Sequence, residues 1–140
     1  GDYSVSSRRR LMAGAFLAAG DYVEAQQRRQ ELVAAVGAAA REVDVLLVAN
    51  AMDPPCRIDD AEQIARTYTR QARNVFSLTG QPALALMCGL SSQGLPLSMQ
   101  LAARAHDEAT LLRVGAAFEC ATQWQQRHPA LPTGLSDTAN

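Results

Sequence analysis

The chain has 140 residues, and 48% of them are hydrophobic, which is enough for a buried core and too apolar for a disordered tail. The formal net charge of −1 excludes the clustered positive charge with which nucleic-acid-binding proteins displace counterions, so we expect no nucleic-acid partner. All 13 basic residues are arginine, so this chain supplies no lysine nucleophile, Schiff base or general base.

Two helices are predicted before the first strand. The first covers residues 7–19 and is interrupted at Gly20. Asp21 is predicted to cap the second helix, with Glu24 three residues further on, which is the spacing of a capping box. This helix is expected to run to about Glu42, because its apolar residues recur at helical spacing and share one face: Ala25, Leu32, Val36, Ala39 and Val43.

The middle of the chain predicts a strand, a loop and a third helix. Residues 44–49 (DVLLVA) form an unbroken apolar run, which is typical of a strand buried on both faces. Two consecutive prolines follow and supply no backbone donors, so this segment is predicted to be a loop. Asp59 or Asp60 is expected to cap a third helix that fades over residues 76–80.

The last third of the chain predicts a hairpin and a helix. Residues 82–88 and 95–101 are predicted strands, joined by the loop GLSSQG, which has glycine at both ends. Asp107 is expected to cap a final helix to about Trp124, with four side chains facing inward: Leu111, Val114, Phe118 and Ala121.

The predicted order is therefore α-α-β-α-β-β-α, and a sheet covered by helices accommodates it economically, which makes the fold class α/β. Residues 1–131 are predicted to form one unit, and residues 132–140 a flexible tail. A sheet of three strands has two edges, and the predicted helices leave an apolar face bare, which indicates that partner structure is missing.

The three cysteines, Cys56, Cys88 and Cys120, are odd in number and widely spaced, which argues against a disulfide framework or a zinc site. Their largely apolar neighbours predict small buried thiols in a reducing compartment. His106 and His128 are expected to be exposed, so a reactive Cys–His pair is not predicted. No apolar run reaches the roughly 20 residues of a membrane span. We therefore expect a soluble cytoplasmic protein with no metal, cofactor or membrane partner.

A series of short motifs runs in order through residues 9–131. Each motif is weak alone, but their order and spacing together are specific. They comprise Arg9 or Arg10 with Gly14; Asp21, Tyr22, Ala25 and Arg28; Asp44 to Leu47 (DVLL); Phe76, Thr79, Gly80, Pro82, Ala83 and Gly89; Gly94 to Leu97 (GLPL) with Gln100; and Asp107, Glu108 and Ala109 with Leu111 and Leu112. With these motifs the sequence resembles the C-terminal portion of the amidase-signature family.

This resemblance implies that the chain is part of an α/β/α sandwich with a mixed sheet. It also implies amide hydrolysis by a serine nucleophile, a second serine in a cis peptide and a lysine, all in the N-terminal part of the family's fold. No catalytic residue is then expected in this chain, which would complete the sheet and wall the pocket for a small-molecule amide. Its implied partner is the N-terminal amidase segment. The alternative is a non-catalytic truncated module that self-associates through its sheet edge or helix face.

The sequence departs from the family pattern at several positions, which leaves the substrate class open. Ala49 and Asn50 stand where the family usually has Pro and Thr, and Ser98 replaces a usual glycine. Ser77 replaces a usual asparagine. An acidic residue is usual near the position of Arg70 in members that act on glutamine for transfer to tRNA, so Arg70 argues against that subtype.

Asn50 and Met52 are the candidate residues of a substrate pocket, because they follow a buried strand, where α/β sheets tend to place ligands. Phe76 is a third candidate. Ser91 and Ser92 are interpreted as turn residues, since neither His nor Lys is adjacent to activate them. No cation site is expected in the acidic segment, because helix capping accounts for most of its carboxylates: Asp53, Asp59, Asp60 and Glu62.

Overall fold

The computed structural model describes residues 3–68 and 71–129. The helices are α1 (Val5–Ala13), α2 (Ala19–Ala39), α3 (Ala61–Tyr68), α4 (Asn74–Thr79) and α5 (Glu108–Thr122). The strands are β1 (Val45–Ala49), β2 (Ala83–Leu90) and β3 (Pro96–Ala103). Short 3-10 helices follow α1 (Gly14–Phe16) and α5 (Trp124–Gln126). Arg70 and the predicted tail, residues 132–140, lie outside the described residues.

The three strands form one sheet in the order β1-β3-β2, and both pairings are antiparallel. Val45 of β1 lies opposite Ala103 of β3, and Leu84 of β2 lies opposite Leu101. The hairpin between β2 and β3 is the predicted one, and the sheet-and-helix arrangement confirms the α/β fold class. The family resemblance implies a mixed sheet. In the described residues, both strand pairs are antiparallel.

The core lies between α5 and the face of the sheet formed by β2 and β3. Leu101 and Leu111 are 2% and 4% exposed, and Leu86, Met99 and Ala103 are buried beside them. The predicted cap is confirmed, since Asp107 Oδ1 accepts a hydrogen bond from the Thr110 N–H at 3.2 Å. Of the four side chains predicted to face inward, Leu111 is buried, Val114 and Phe118 are half-buried, and Ala121 is exposed.

Gly115 is the point at which α5 packs most closely on the sheet. A Cβ atom there would overlap Leu84 Cδ2 and lie 3.6 Å from Leu86 Cδ1. We expect Gly115→Val to lower the free energy of unfolding by about 1–3 kcal/mol, since the core has no room for the added atoms. Ala116→Val is the control, because it introduces the same β-branched side chain on the same helix at an exposed position; its small cost is one of helix propensity, which Gly115→Val does not incur. Equal losses in urea unfolding of the two variants would contradict this packing.

β1 is not buried on both faces, and that prediction is wrong. Leu47 is 64% exposed and Ala49 is exposed, although the register places them opposite Leu101 and Met99. The reason is that α5 packs mainly on β2 and β3, and Val45 is the residue of β1 that packs against the core. β1 is therefore an edge strand that pairs only with β3 in the described part of the chain.

The first two helices begin earlier than predicted. Helix α1 starts after Ser4, whose Oγ accepts a hydrogen bond from the Ser7 N–H at 3.1 Å. Helix α2 starts at Ala19, so Asp21 lies in its first turn and accepts a hydrogen bond from the Ala18 N–H at 3.3 Å. The predicted capping box is therefore wrong. A carboxylate stabilises the start of a helix from inside the first turn as well as from the cap position.

The predicted third helix is two helices, α3 and α4. Asp60 is the residue that caps α3, since its Oδ1 accepts a hydrogen bond from the Gln63 N–H at 2.9 Å. Helix α4 ends at Gly80, which has φ of 78° and closes the helix in the left-handed conformation that glycine favours. Arg29 of α2 donates from Nε to the Leu78 carbonyl oxygen at 2.6 Å, which attaches α2 to the end of α4.

Large apolar side chains remain exposed, as predicted for a sheet and helices that lack partner structure. Phe16 is 83% exposed and Ile58 is 96% exposed, and the segment from α1 to the start of α2 adds Leu11, Met12, Leu17, Tyr22 and Val23. Exposed apolar side chains concentrated in one segment indicate a surface that another part of a protein covers. Within the described residues, no helix combines the length and the apolar character that a membrane crossing requires.

Candidate functional site

A cavity of about 660 Å³ opens at the end of β1. Its walls come from β1, the loop after it, α3 and the start of β3, and they include Val48, Asn50, Met52, Ile64, Tyr68 and Ser98. The lining is mainly apolar, with a few amide and hydroxyl groups and two charged residues, Asp53 and Arg73. Such a combination suits a small organic ligand that is oriented by a few hydrogen bonds.

The loop after β1 creates this cavity. Pro54 and Pro55 carry no backbone N–H, so this part of the loop has no donors for strand pairing, and it lines the cavity together with α3. Asn50 is the last residue held against β3, since its backbone N–H donates to the Ser98 carbonyl oxygen at 3.2 Å. The space between this loop and the sheet is left open.

Two amide side chains present polar groups at the cavity wall. Asn50 Nδ2 donates to Ser98 Oγ at 3.0 Å, and Gln71 Nε2 donates to the Thr67 carbonyl oxygen at 3.1 Å. Asn50 Oδ1 and Gln71 Oε1 are buried and have no hydrogen-bond partner among the described residues. Because an unpaired buried acceptor is costly, each of these amides depends on its remaining hydrogen bond for its orientation.

The three candidates from the sequence separate in the structure. Asn50 and Met52 both line the cavity, with Asn50 half-buried and Met52 56% exposed. Phe76 is not among the lining residues; it is 5% exposed within α4. Ser98 and Gln71 were not among the candidates. Ser98 carried a signal, its departure from the family's glycine, whereas Gln71 had none.

The residues that build this cavity lie within a match to the family model described as Amidase, which covers residues 2–112. The chain belongs to the amidase-signature family. It is 36% identical to an amidase of Pseudomonas putida, in an alignment that covers 92% of this chain and 29% of the relative. It is 35% identical to a glutamyl-tRNA(Gln) amidotransferase subunit of Chloroflexus aggregans, covering 89% of this chain and 27% of that protein.

A crystal structure of an amidase gives the same result in three dimensions. It matches 85% of this chain with a TM-score of 0.71 at 26% identity, and the matched part is 29% of that amidase. The chain therefore spans less than a third of the length of these relatives, and it corresponds to the C-terminal portion of the amidase-signature fold.

The cysteines of this amidase-family chain are not buried, contrary to the prediction. Cys88 and Cys120 are exposed, Cys56 is half-buried, and all three are free thiols. Cys88 lies at the β-bulge between Met87 and Gly89, where the register gives it no partner on β3, and it is not part of the core that α5 covers at Leu84 and Leu86. Cys56 and Cys88 line the cavity, whereas Cys120 lies on α5 and does not. The reactivity of Cys56 and Cys88 therefore reports on the cavity, and Cys120 is a reference thiol outside it.

The serines of the hairpin loop are turn residues, as interpreted from the sequence. Ser91 Oγ accepts hydrogen bonds from the backbone N–H groups of Gln93 at 3.3 Å and Leu95 at 3.1 Å. Gly94 supplies the left-handed residue of the turn, with φ of 76°. His106 and His128 are exposed, as expected. In the described ranges, no group of three His, Cys, Asp or Glu side chains is placed to hold a metal ion.

The loop that walls the cavity ends in an exposed ion pair. Arg57 donates to Asp59 through Nε at 2.9 Å and Nη2 at 2.6 Å. These bonds hold the pKa of the Asp59 carboxyl below its ordinary value and raise that of the Arg57 guanidinium. Asp59 is thus engaged with Arg57, and the cap of α3 is left to Asp60.

This ion pair predicts a pH dependence of stability at acidic pH. Because the pKa of Asp59 is lower in the folded chain than in the unfolded chain, the pair stabilises the fold above the unfolded pKa. That contribution is lost as the pH falls through the lowered folded pKa. We expect Arg57→Gln to return the pKa of Asp59 towards its ordinary value in an NMR carboxyl titration. Superimposable Asp59 titration curves of the two proteins would contradict the assignment.

Proposed function

We propose that this chain is the C-terminal part of an amidase that hydrolyses the carbon–nitrogen bond of a small-molecule amide. Its role is to complete the sheet and to wall the substrate pocket. The observation that carries the proposal is the cavity at the end of β1, lined by Asn50, Met52 and Ser98 in a chain that belongs to the amidase-signature family. A mainly apolar cavity with a few polar groups suits a small organic amide.

The chemistry itself is assigned to the N-terminal amidase segment. Attack on an amide carbonyl requires a serine whose proton is accepted by a nearby base, together with donors for the oxyanion. In the amidase-signature mechanism that base is a lysine, and this chain contains none. A Ser–Ser–Lys triad therefore lies outside these 140 residues, and the chain positions the substrate without activating the nucleophile.

Two features of the sheet support the proposal that this chain joins a separate N-terminal segment that carries the catalytic residues. β1 pairs only with β3 in the described residues, so its other edge has unsatisfied backbone groups that a further strand would pair with. The exposed face of Leu47 and Ala49 lies beside this edge and would be covered by the same segment. The sheet would then continue into the N-terminal segment, and the cavity would lie at the junction.

The proposal is tested by amide hydrolysis and by thiol protection. This chain alone should release no amine from an aryl amide such as an anilide, because it lacks the lysine. Benzamide should slow the alkylation of Cys88, which lines the cavity, and leave that of Cys120 unchanged. Turnover by the chain alone would refute the assignment of the triad. An equal effect of benzamide on both thiols, or no effect on either, would refute the pocket.

A second candidate function is a non-catalytic module that self-associates, and the exposed edge of β1 favours it. Two copies could pair their β1 strands and bury the two Leu47 side chains against each other. Light scattering would then show a dimer that Leu47→Arg dissociates, and benzamide would give no selective protection of Cys88. A monomer whose Cys88 is protected by benzamide would favour the amidase proposal.

A further inference from the structure

Two polar residues of the cavity wall, Asn50 and Ser98, contact each other. Asn50 and Ser98 are 48 residues apart in the sequence, and the antiparallel pairing of β1 with β3 brings them together. The Asn50 backbone N–H donates to the Ser98 carbonyl oxygen at 3.2 Å, and its side-chain Nδ2 donates to Ser98 Oγ at 3.0 Å. Both residues line the cavity.

We propose that Asn50 and Ser98 form a specificity-determining pair, in which the Ser98 hydroxyl donates a hydrogen bond to an acceptor oxygen of the bound amide. This inference rests on the proposed function, since it names a residue that would contact the ligand of the same cavity.

In the hydrogen bond between the two side chains, Asn50 is the donor and Ser98 is the acceptor. An amide nitrogen only donates, so Ser98 Oγ is the acceptor in its bond with Asn50. The hydroxyl hydrogen of Ser98 is therefore not used in this bond, and Ser98 donates it to no other group in the described part of the chain. A hydroxyl at a cavity wall with an uncommitted hydrogen is suited to donate to a ligand oxygen, such as a carbonyl.

Asn50 is the residue that holds this hydroxyl in place. Its Oδ1 is buried and unpaired within the described residues, so the bond to Ser98 is the one that orients its side chain. A glycine at position 98 would remove that partner and leave both ends of the amide unsatisfied. A threonine at position 50 could not reproduce the amide donor. The two residues therefore depend on each other, and the effects of replacing them should not add.

Binding by the 140-residue chain tests the proposed hydrogen bond. The probes are benzamide and thiobenzamide, which have nearly the same shape but differ in the strength of their acceptor, and each Kd is measured from backbone NMR shifts. We expect Ser98→Ala to weaken benzamide binding about fivefold to tenfold, the effect of one hydrogen bond. The preference for benzamide over thiobenzamide should disappear. Ser98→Thr, which keeps the hydroxyl, should restore the benzamide affinity and the preference for benzamide. Ser92→Ala, on the exposed hairpin, is the control.

The pair itself is tested without any ligand, by a double-mutant cycle on urea unfolding with Asn50→Thr, Ser98→Gly and the double variant. The double variant should lose less free energy of unfolding than the sum of the losses in the two single variants. Additive losses would overturn the pair.

The remaining binding outcomes separate this inference from the proposed function. If the unmodified chain binds benzamide and Ser98→Ala binds it equally well, the inference is overturned and the amide pocket stands. If the unmodified chain binds neither probe, both are overturned.

Discussion

Leu111→Ala is expected to lower the free energy of unfolding by about 2–5 kcal/mol, which is a large fraction of the stability of a small domain. Leu111 is 4% exposed and packs from α5 against Leu86, Met99 and Leu101 of the sheet. Truncation removes the transfer free energy of the lost carbon atoms. It also leaves a cavity that the rigid sheet cannot fill by relaxing.

Leu112→Ala is the matched control for this prediction. Leu112 is the next residue of the same helix, and it is 59% exposed, so its truncation should cost much less. Urea unfolding followed by circular dichroism gives both values. Leu111→Met, which conserves volume, should lose less than about 1.5 kcal/mol and provides a measurable variant if the alanine variant does not fold. Equal losses at positions 111 and 112 would show that α5 does not pack in the described orientation.

Phe76→Ala is expected to destabilise the chain by about 3–5 kcal/mol, the usual cost of removing a buried aromatic ring. Phe76 is 5% exposed, and α4, which carries it, packs against α2. Its carbonyl oxygen accepts a hydrogen bond from the Gly80 N–H at 2.9 Å, which fixes the end of the helix. The residue therefore contributes to the packing of α4, and an effect on ligand binding would be indirect.

The control for Phe76 is another phenylalanine of the same chain. Phe16 is 83% exposed, so Phe16→Ala should leave the free energy of unfolding nearly unchanged. Phe76→Leu keeps most of the buried volume, and we expect it to bind benzamide with an unchanged Kd. A weaker Kd in a stably folded Phe76→Leu protein would return Phe76 to the substrate pocket, where the sequence placed it.

The free edge of β1 and the exposed face of Leu47 and Ala49 offer a surface through which copies of this chain could associate during the unfolding measurements. A sheet of three strands with one helix across two of them buries less apolar surface than a complete domain of the same size. Stability differences between variants should therefore be compared at the same protein concentration, because association through this face would raise the apparent stability.

Much of the local structure was predictable from the sequence. Asp107 caps α5 as predicted, and Asp60, one of the two residues predicted to cap the third helix, caps α3. A cap is predictable because it depends on a side chain and a backbone N–H three residues apart. The turn at Ser91 and Gly94 follows from the same short-range chemistry. The order and spacing of the motifs pointed to the amidase-signature family, to which the chain belongs.

The candidate site was predictable only in part. Asn50 and Met52 were placed near a cavity because ligands tend to bind beyond the ends of strands. The burial of Phe76 was not predictable, since a phenylalanine near a predicted loop is compatible with a core position or a pocket wall. Gln71 was not recognised because a single glutamine in a polar segment carries no periodic or positional signal.

The sequence by itself determined the order of helices and strands, except that its third helix is two helices, α3 and α4. It also determined the cap at Asp107, the choice of Asp59 or Asp60 as the cap of α3, and the absence of a lysine that could activate a serine. Only the tertiary structure decided that β1 is an edge strand with Leu47 exposed, and that Asn50 meets Ser98 across the sheet. The physical reason is the range of the interactions. Caps and turns join residues a few positions apart, whereas burial and strand pairing depend on which distant segment covers each face of the sheet.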